Sequence, residues 1–173
     1  MASSNKTETL KLNQWLGTDS VQRVDFNRDN NRLDSAIQAR SLVHLTGTTL
    51  SSASAAFNLT LSATEVANCA ALQVYLAPKT SAESVTSLKV GSSTAVSLAS
   101  MSTDGTRGLW IHLCFLPGGI GGWWFAPGGT GTTSGAFQLP GLTPTQTTTL
   151  TLACTGSATY QSGSECQVYG VMK

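Results

Sequence analysis

From residue 41 onward the sequence consists of short runs in which apolar and polar residues alternate, with turn-forming residues between them. A period of two predicts β-strands, because successive side chains of a strand point to opposite faces. The apolar spacing typical of a helix is largely absent from this part of the chain. We predict ten strands, at Ser41–Leu45, Ala56–Leu61, Ala71–Leu76, Ser84–Val90, Val96–Ser100, Leu109–Leu116, Gly122–Ala126, Ala136–Leu139, Thr147–Cys154 and Cys166–Val171.

Short strands at this spacing, without the crossover helices that a parallel sheet needs, predict a mainly β protein. The expected architecture is an antiparallel β-sandwich of the jelly-roll type. A length of 173 residues suits one such domain with an appendage. We therefore predict a β-sandwich head over residues 41–173, preceded by an extended arm with a short α-helix over residues 1–40.

Charge is concentrated in the predicted arm. Residues 1–40 hold 11 of the 19 charged side chains, and the remaining 133 residues hold only 8. A surface so poor in charge favours association with other molecules. The formal net charge of +1 and the lack of a basic cluster outside the arm argue against a nucleic-acid partner. No apolar run approaches the roughly 20 residues of a membrane span, and the first residues do not resemble a signal peptide, so we expect synthesis in a cytoplasm.

Neither a metal site nor another cofactor is predicted. The cysteines form no CxxC pair, and no histidine lies at metal-ligand spacing from them. We expect buried free thiols, because isolated cysteine behaves as a small apolar residue and a reducing compartment disfavours disulfides. A bridge between Cys154 and Cys166 remains open, because we place both residues in strands. The four cysteines are Cys69, Cys114, Cys154 and Cys166.

No catalytic residues are predicted, and we do not expect an enzyme. Glycoside hydrolysis needs two carboxylates held about 5 to 10 Å apart, and the carboxylates outside the arm are isolated in sequence. A GxSxG nucleophile motif is absent, and His44 and His112 lie in predicted strands, where structural roles are expected. The carboxylates in question are Glu65, Glu83, Asp104 and Glu165.

An amphipathic helix of about 15 residues is predicted in the arm. Thr18 and Asp19 offer an N-cap for a short turn, and Asp25 offers a second N-cap, because its side chain can accept hydrogen bonds from the free backbone N–H groups that open a helix. The apolar positions after Asp25 form a brief heptad stripe, with a polar asparagine inside it that would favour a defined oligomer. A helix this short is marginal alone, so it must dock, either on a partner or on its own domain. The stripe comprises Phe26, Leu33 and Arg40 at d positions and Asn30 and Ile37 at a positions.

Aromatic residues are the candidate contact groups of the head. Trp123 and Trp124 are adjacent in a predicted strand, so their side chains face opposite sides, one towards the core and one towards a ligand or another subunit. Tyr160 lies in a predicted loop, where it is free to contact a partner. Trp110 and Tyr75 lie in strands, and we expect them in the core.

The segment LNQWLGTDSVQRVDFNRDNNRLDSAI resembles the opening of tail-associated proteins of phages and prophages of Gram-positive bacteria. Those proteins begin with an apolar residue, Trp and a Thr-Asp pair, followed by Asp-Phe-Asn, Asn and Asp leading into a helix. More loosely, SECQVYGVMK is similar to the last strand of small β-sandwich domains displayed on phage tails and capsids. The matching positions of the opening are Leu12, Trp15, Thr18, Asp19, Asp25, Phe26, Asn27, Asn30 and Asp34.

The resemblance implies a structural protein of the virion, of baseplate or short tail fibre type, assembled in the host bacterial cytoplasm. Its arm would bind other virion structural proteins, and its outward-facing head, expected as a homotrimer, would bind host cell-wall polysaccharide. The alternative is a capsid decoration or head-fibre protein that stabilises the shell without a ligand. Together with the stripe, the resemblance gives the expected attachment residues: Leu12, Trp15, Asp19, Asp25, Phe26, Asn30, Leu33 and Ile37.

Overall fold

The computed structural model describes residues 5–15, 22–38, 41–103, 105–128, 132–142 and 148–173. These residues belong to two compact units, one formed essentially by the chain up to Ser41 and the other by the chain from Leu42 onward. The protein is mainly β, with antiparallel sheets and short helices, as the sequence predicts. Among the described residues, no helix combines the length and apolarity needed to span a membrane.

The N-terminal unit is a small hairpin followed by a helix. Strands β1 (Asn5–Lys6) and β2 (Asn13–Gln14) pair antiparallel. The connecting loop is closed by a hydrogen bond from the Thr7 backbone N–H to the Leu12 carbonyl at 2.9 Å. Helix α1 follows over Arg23–Gln38, 16 residues long, which confirms the predicted helix.

The second unit contains the ten predicted strands, with ends shifted by a few residues, and one short helix. The strands are β3 (Leu42–Thr49), β4 (Ala56–Leu61), β5 (Cys69–Ala77), β6 (Ser84–Val90), β7 (Val96–Met101), β8 (Leu109–Leu116), β9 (Gly119–Ala126), β10 (Thr133–Pro140), β11 (Thr148–Cys154) and β12 (Glu165–Met172). Helix α2, over Ala63–Asn68, lies between β4 and β5.

The strands form a jelly roll. One sheet has the order β10-β9-β8-β5-β12-β3 and the other the order β4-β11-β6-β7. Without the β9–β10 hairpin, each sheet has four strands, and the chain passes repeatedly from one sheet to the other, as in two interleaved Greek keys. The hairpin adds two antiparallel strands beside β8, which makes the first sheet wider than the second.

The core lies between the inner faces of the two sheets. Alternate residues of β5 and β8, such as Val74 and Ile111, are at most 2% exposed, and Leu88 and Leu152 of the second sheet are fully buried. Burying one such side chain contributes about 1.5 to 3 kcal/mol. The period-two pattern therefore fixes which face of each strand points inward, and the residues between the core positions form the outer faces.

Helix α2 is an element that the strand pattern did not predict. Its N-cap is Ser62, whose hydroxyl accepts from the Glu65 backbone N–H at 3.2 Å, while the Glu65 carboxylate accepts from the Ser62 backbone N–H at 2.7 Å. This reciprocal pair is a capping box, and the spacing Ser-x-x-Glu is its signature in the sequence. The hydrogen bonds from Ser62 lower the pKa of Glu65.

None of the four cysteines forms a disulfide, as expected, but only Cys69 and Cys166 are buried, whereas Cys114 and Cys154 are half-buried. Cys154 lies in β11 and Cys166 in β12, and these strands belong to different sheets, so they are not paired. The disulfide between them that the sequence left open is not formed. Burial raises the pKa of Cys166 to about 12, so this thiol stays protonated at neutral pH.

Tyr160 is fully buried, so the prediction that it contacts a partner is wrong. Its backbone N–H and carbonyl pair with Ser54, and its ring packs on Phe57 with the centroids 5.0 Å apart. The phenol hydroxyl lies 3.1 Å from the Thr86 hydroxyl. The sequence did not predict this burial, because the side chains that contact the phenol, Phe57 and Thr86, are remote from Tyr160 in sequence.

Replacing Tyr160 by Phe is expected to reduce the free energy of unfolding by about 1 to 2 kcal/mol, because the buried Thr86 hydroxyl loses this partner. Adding Thr86→Val, which removes the stranded hydroxyl, should restore part of the loss. Urea unfolding of both variants measures the difference. Equal losses for the single and double variants would show that the loss does not come from the unpaired Thr86 hydroxyl.

Candidate functional site

The hairpin of the N-terminal unit contacts a polar side of helix α1. The Asn13 backbone N–H donates to Asp29 Oδ2 at 2.7 Å, and the Asn13 side-chain amide donates to the same oxygen at 2.9 Å. The amide also lies 3.3 Å from the Asp25 carbonyl. One turn further along, Arg32 donates to the Lys11 carbonyl. The helix is therefore fixed to its own hairpin by charged and amide groups.

Asp25 does not cap the helix, so that prediction is wrong. The helix begins at Arg23, and Gln22 supplies the carbonyl that accepts from the Asp25 and Phe26 backbone N–H groups. Asp25 lies in the first turn, where its carboxylate suits the positive end of the helix dipole, and it pairs with Arg28. Its side chain is nearly fully buried.

The predicted apolar stripe of α1 is exposed. The exposed fractions are 56% for Phe26, 38% for Leu33 and 63% for Ile37, and Asn30 is exposed between them. These four residues, called the helix stripe below, recur every three or four positions and form one continuous strip along the helix. Amphipathic helices normally bury the apolar side, and α1 instead uses a polar side within its own unit.

The other predicted attachment residues divide into two groups. Leu12 and Trp15 lie on or beside β2 and are half-buried. Asp19, and Arg40 at the end of the predicted heptad stripe, lie outside the described residues. Asn13, which fixes the hairpin to the helix, was missed by sequence reasoning, because the sequence does not show which of several asparagines meets Asp29.

The outer face of the six-stranded sheet carries a cluster of aromatic rings from three adjacent strands. Register places Trp110 of β8 between Tyr75 of β5 and Phe125 of β9, and pairs His112 of β8 with Trp123 of β9. The Tyr75 and Trp110 centroids are 4.5 Å apart, and His112 and Trp123 stack at 5.4 Å. We call these five residues the aromatic face.

The expectation that Trp110 and Tyr75 belong to the core is wrong. Trp110 is 43% exposed and Tyr75 is half-buried, because the apolar neighbours of Trp110, Leu109 and Ile111, take the inward positions of β8. A strand with large apolar residues on both sides does not reveal which side faces inward. The choice follows from the register with β5 and from packing against the second sheet.

Trp123 and Trp124 face opposite sides of the sheet, as predicted. Trp123 is 52% exposed on the aromatic face, whereas Trp124 is half-buried on the other side, where its indole lies against Gly135 of β10. Sequence reasoning missed Phe125 as a contact residue. The period of two predicts it once Trp123 is known to point outward, since Phe125 follows two residues later.

Two shallow grooves flank the Trp123 indole. One, of about 410 Å³, is lined by Gln73, Trp110, Ile111, His112, Trp123 and Phe125. The other, of about 710 Å³, extends from Trp123 over Gly121 and Ala136 towards Gln138. The second groove is open because the residues beside Trp123, Gly121 and Ala136, are small, and the Trp123 indole separates the two grooves.

The strands around the aromatic face have no charged side chains. Strands β5, β8, β9 and β10 contain no Lys, Arg, Asp or Glu, and in β12 the only one is Glu165. Glu165 accepts from Gln167, which in turn contacts His44 on β3 at 2.7 Å. The sheet therefore presents an uncharged aromatic region and, beside it, a polar network.

The carboxylates considered for catalysis are used in local contacts. Glu65 caps α2, Glu83 accepts from Ser100 at 3.4 Å, and Glu165 accepts from Gln167. Asp104 lies outside the described residues. Within the described part of the chain, no group of three or more His, Cys, Asp or Glu residues is placed to hold a metal ion.

The chain matches no protein-family model, no curated protein and no solved structure.

The contact between the hairpin and helix α1 should weaken at low pH, when the Asp29 carboxylate becomes protonated. Partial desolvation raises the pKa of Asp29, but the hydrogen bonds from Asn13 and the charges of Lys6 and Arg32 outweigh it, so the pKa falls below 3.8. A lowered pKa means that the contact stabilises the unit above pH 3.8 and that this stability is lost as pH falls through the folded-state pKa. The Asn13 amide resonance, followed by NMR titration, should shift in that range.

Asp29→Asn is the control for this titration, because it keeps the shape of the side chain and removes its charge. The Asn13 resonance should then lose this acid transition. A transition that persists unchanged in Asp29→Asn would assign it to another carboxylate.

Proposed function

We propose that this chain is a structural protein of a tailed-phage particle. Its N-terminal unit attaches it to other virion proteins, and its jelly roll is displayed outward and contacts the host cell wall. The observation that carries the proposal is the helix stripe: Phe26, Leu33 and Ile37 are exposed on a helix whose polar side is fixed to its own hairpin.

The helix stripe is suited to attachment for an energetic reason. A helix of 16 residues is barely stable alone in water, and most of the stability of such helices comes from packing an apolar side. Covering a Phe, Leu or Ile side chain contributes about 1.5 to 3 kcal/mol each. A groove on a virion protein would supply that packing, as in other complexes in which an amphipathic helix binds in an apolar groove.

The charge distribution supports the same role. With 11 of its 19 charged side chains in residues 1–40, the chain concentrates its ionic groups in the part that carries the stripe and leaves the sandwich poor in charge. Charged groups at the rim of an interface exclude wrong partners and fix the register of the right one. The resemblance of this segment to the opening of phage tail-associated proteins agrees with an attachment role.

We propose that the outward-facing jelly roll serves in adsorption of the particle to the host cell. Cell-wall polysaccharide repeats the same unit many times, and a particle carries many copies of a structural protein, so weak binding by each copy is multiplied. Purified full-length protein should adhere to host cells, and soluble wall polysaccharide should compete. Incorporation into particles without adherence would favour the alternative role, stabilising the capsid shell.

The attachment proposal is tested by Phe26→Asp, which places a charge in the middle of the helix stripe. Loss of one buried Phe corresponds to roughly a 10- to 100-fold weaker association, so few or no copies should remain on purified particles. Quantitative mass spectrometry of the particles measures the copy number. Thermal unfolding of the purified variant should show an unchanged jelly roll.

Val24→Asp is the matched control. Val24 is 65% exposed on the same helix and lies nearly opposite the stripe, so it introduces the same charge without touching the proposed interface. Incorporation should match that of the unaltered chain. Normal incorporation of Phe26→Asp, or equal loss in both variants, would contradict attachment through the stripe.

A further inference from the structure

We propose that the aromatic face is the surface through which copies of this chain associate, sandwich to sandwich. The inference goes beyond attachment to the particle, since it concerns a different unit of the chain and a different partner. It is carried by four features of the sheet: exposed rings, the absence of charge, sufficient size and rings that support one another.

Exposed rings are the first feature. Trp110, Trp123 and Phe125 are 43%, 52% and 38% exposed and lie together on neighbouring strands. A single exposed apolar residue is ordinary, but a contiguous group of large rings marks an interaction surface. Tryptophan also carries much of the binding energy at the centre of many protein interfaces.

The absence of charge distinguishes between possible occupants. When two identical surfaces meet, any charged groups on them face groups of the same sign and repel each other. Strands β5, β8, β9 and β10 have no charged side chains, so this repulsion does not arise. Depletion of charged residues and enrichment in aromatic ones is the composition of a protein interface core. A saccharide needs several converging polar groups, and the groove lined by Trp110 and Trp123 offers few besides Gln73 and His112. The composition therefore favours a second copy over a glycan.

The sheet is large enough for a stable contact. The outer face of all six strands, about 4.8 Å apart with eight residues rising about 3.3 Å each, covers roughly 750 Å², of which the four uncharged strands provide roughly 500 Å². A stable interface buries about 800 Å² on each partner, so this outer face provides close to the required area. Closed cyclic association would bury the same face in every copy.

The rings are also held in place before binding. His112 stacks on Trp123 with 23° between the ring planes, and Tyr75 packs on Trp110. Side chains that are already ordered lose less entropy on association. The groove over Gly121 and Ala136, of about 710 Å³, leaves open space beside Trp123 for side chains of another copy.

The test is the oligomeric state of the purified full-length chain and of Trp123→Glu. Light scattering after size-exclusion chromatography, at several concentrations, should give a multiple of 18.0 kDa for the unaltered chain and a mass close to 18.0 kDa for Trp123→Glu. Trp123→Phe, which keeps an aromatic ring, should retain the higher mass. Circular dichroism should show that all variants keep the β-sheet spectrum.

Thr60→Glu is the control, because it adds the same charge to an exposed position of β4 in the other sheet and should retain the higher mass. A monomeric unaltered chain, or an unchanged mass for Trp123→Glu, would overturn the proposal. An unchanged mass with loss of wall adherence would identify the face as a ligand site instead. Phe26→Asp separates the two proposals: a lower mass in that variant, with Trp123→Glu unaffected, would place self-association on the arm.

Discussion

The apolar layer between the two sheets is the constraint on which the rest of the structure depends. Leu72, Val74 and Leu76 of β5 enter this layer together with alternate residues of β8 and of the second sheet. Because strand side chains alternate, filling the layer with these residues forces their neighbours outward. Trp110 and Trp123 are therefore exposed as a direct consequence of how the core is packed. The aromatic face is produced by the same alternation that stabilises the fold.

Helix α1 is held by polar contacts, in contrast to the apolar layer of the sandwich. Among the described residues of its unit only Asp25 is buried, and hydrogen bonds and an ion pair around Asn13, Asp25 and Asp29 fix the hairpin and the helix. Such contacts fix geometry but contribute little net stability when they are close to solvent. The helix stripe is left as the largest source of further stabilisation. Coverage of the stripe by another protein, as we propose, would stabilise a helix organised in this way.

The two proposed surfaces would serve different contacts, attachment to another protein through the helix stripe and self-association through the aromatic face. The helix stripe is narrow and flanked by charge, which suits recognition of one defined partner. The aromatic face is broad and uncharged, which suits contact between identical copies. Association through the sheet would bring several arms together, so that weak attachment by each arm is multiplied. In the same way, several sandwiches held together would bind a repeating polymer more tightly than one.

The sequence by itself determined the strands, the helix, the jelly-roll class and the opposite directions of Trp123 and Trp124, because these depend on local periodicity. The helix stripe was likewise readable from the spacing of Phe26, Leu33 and Ile37. Only the tertiary structure decided which side of β8 is buried, since that strand is apolar on both sides. It also decided that Tyr160 is buried and that Asn13 meets Asp29, because both contacts join residues whose pairing depends on register and packing across the fold.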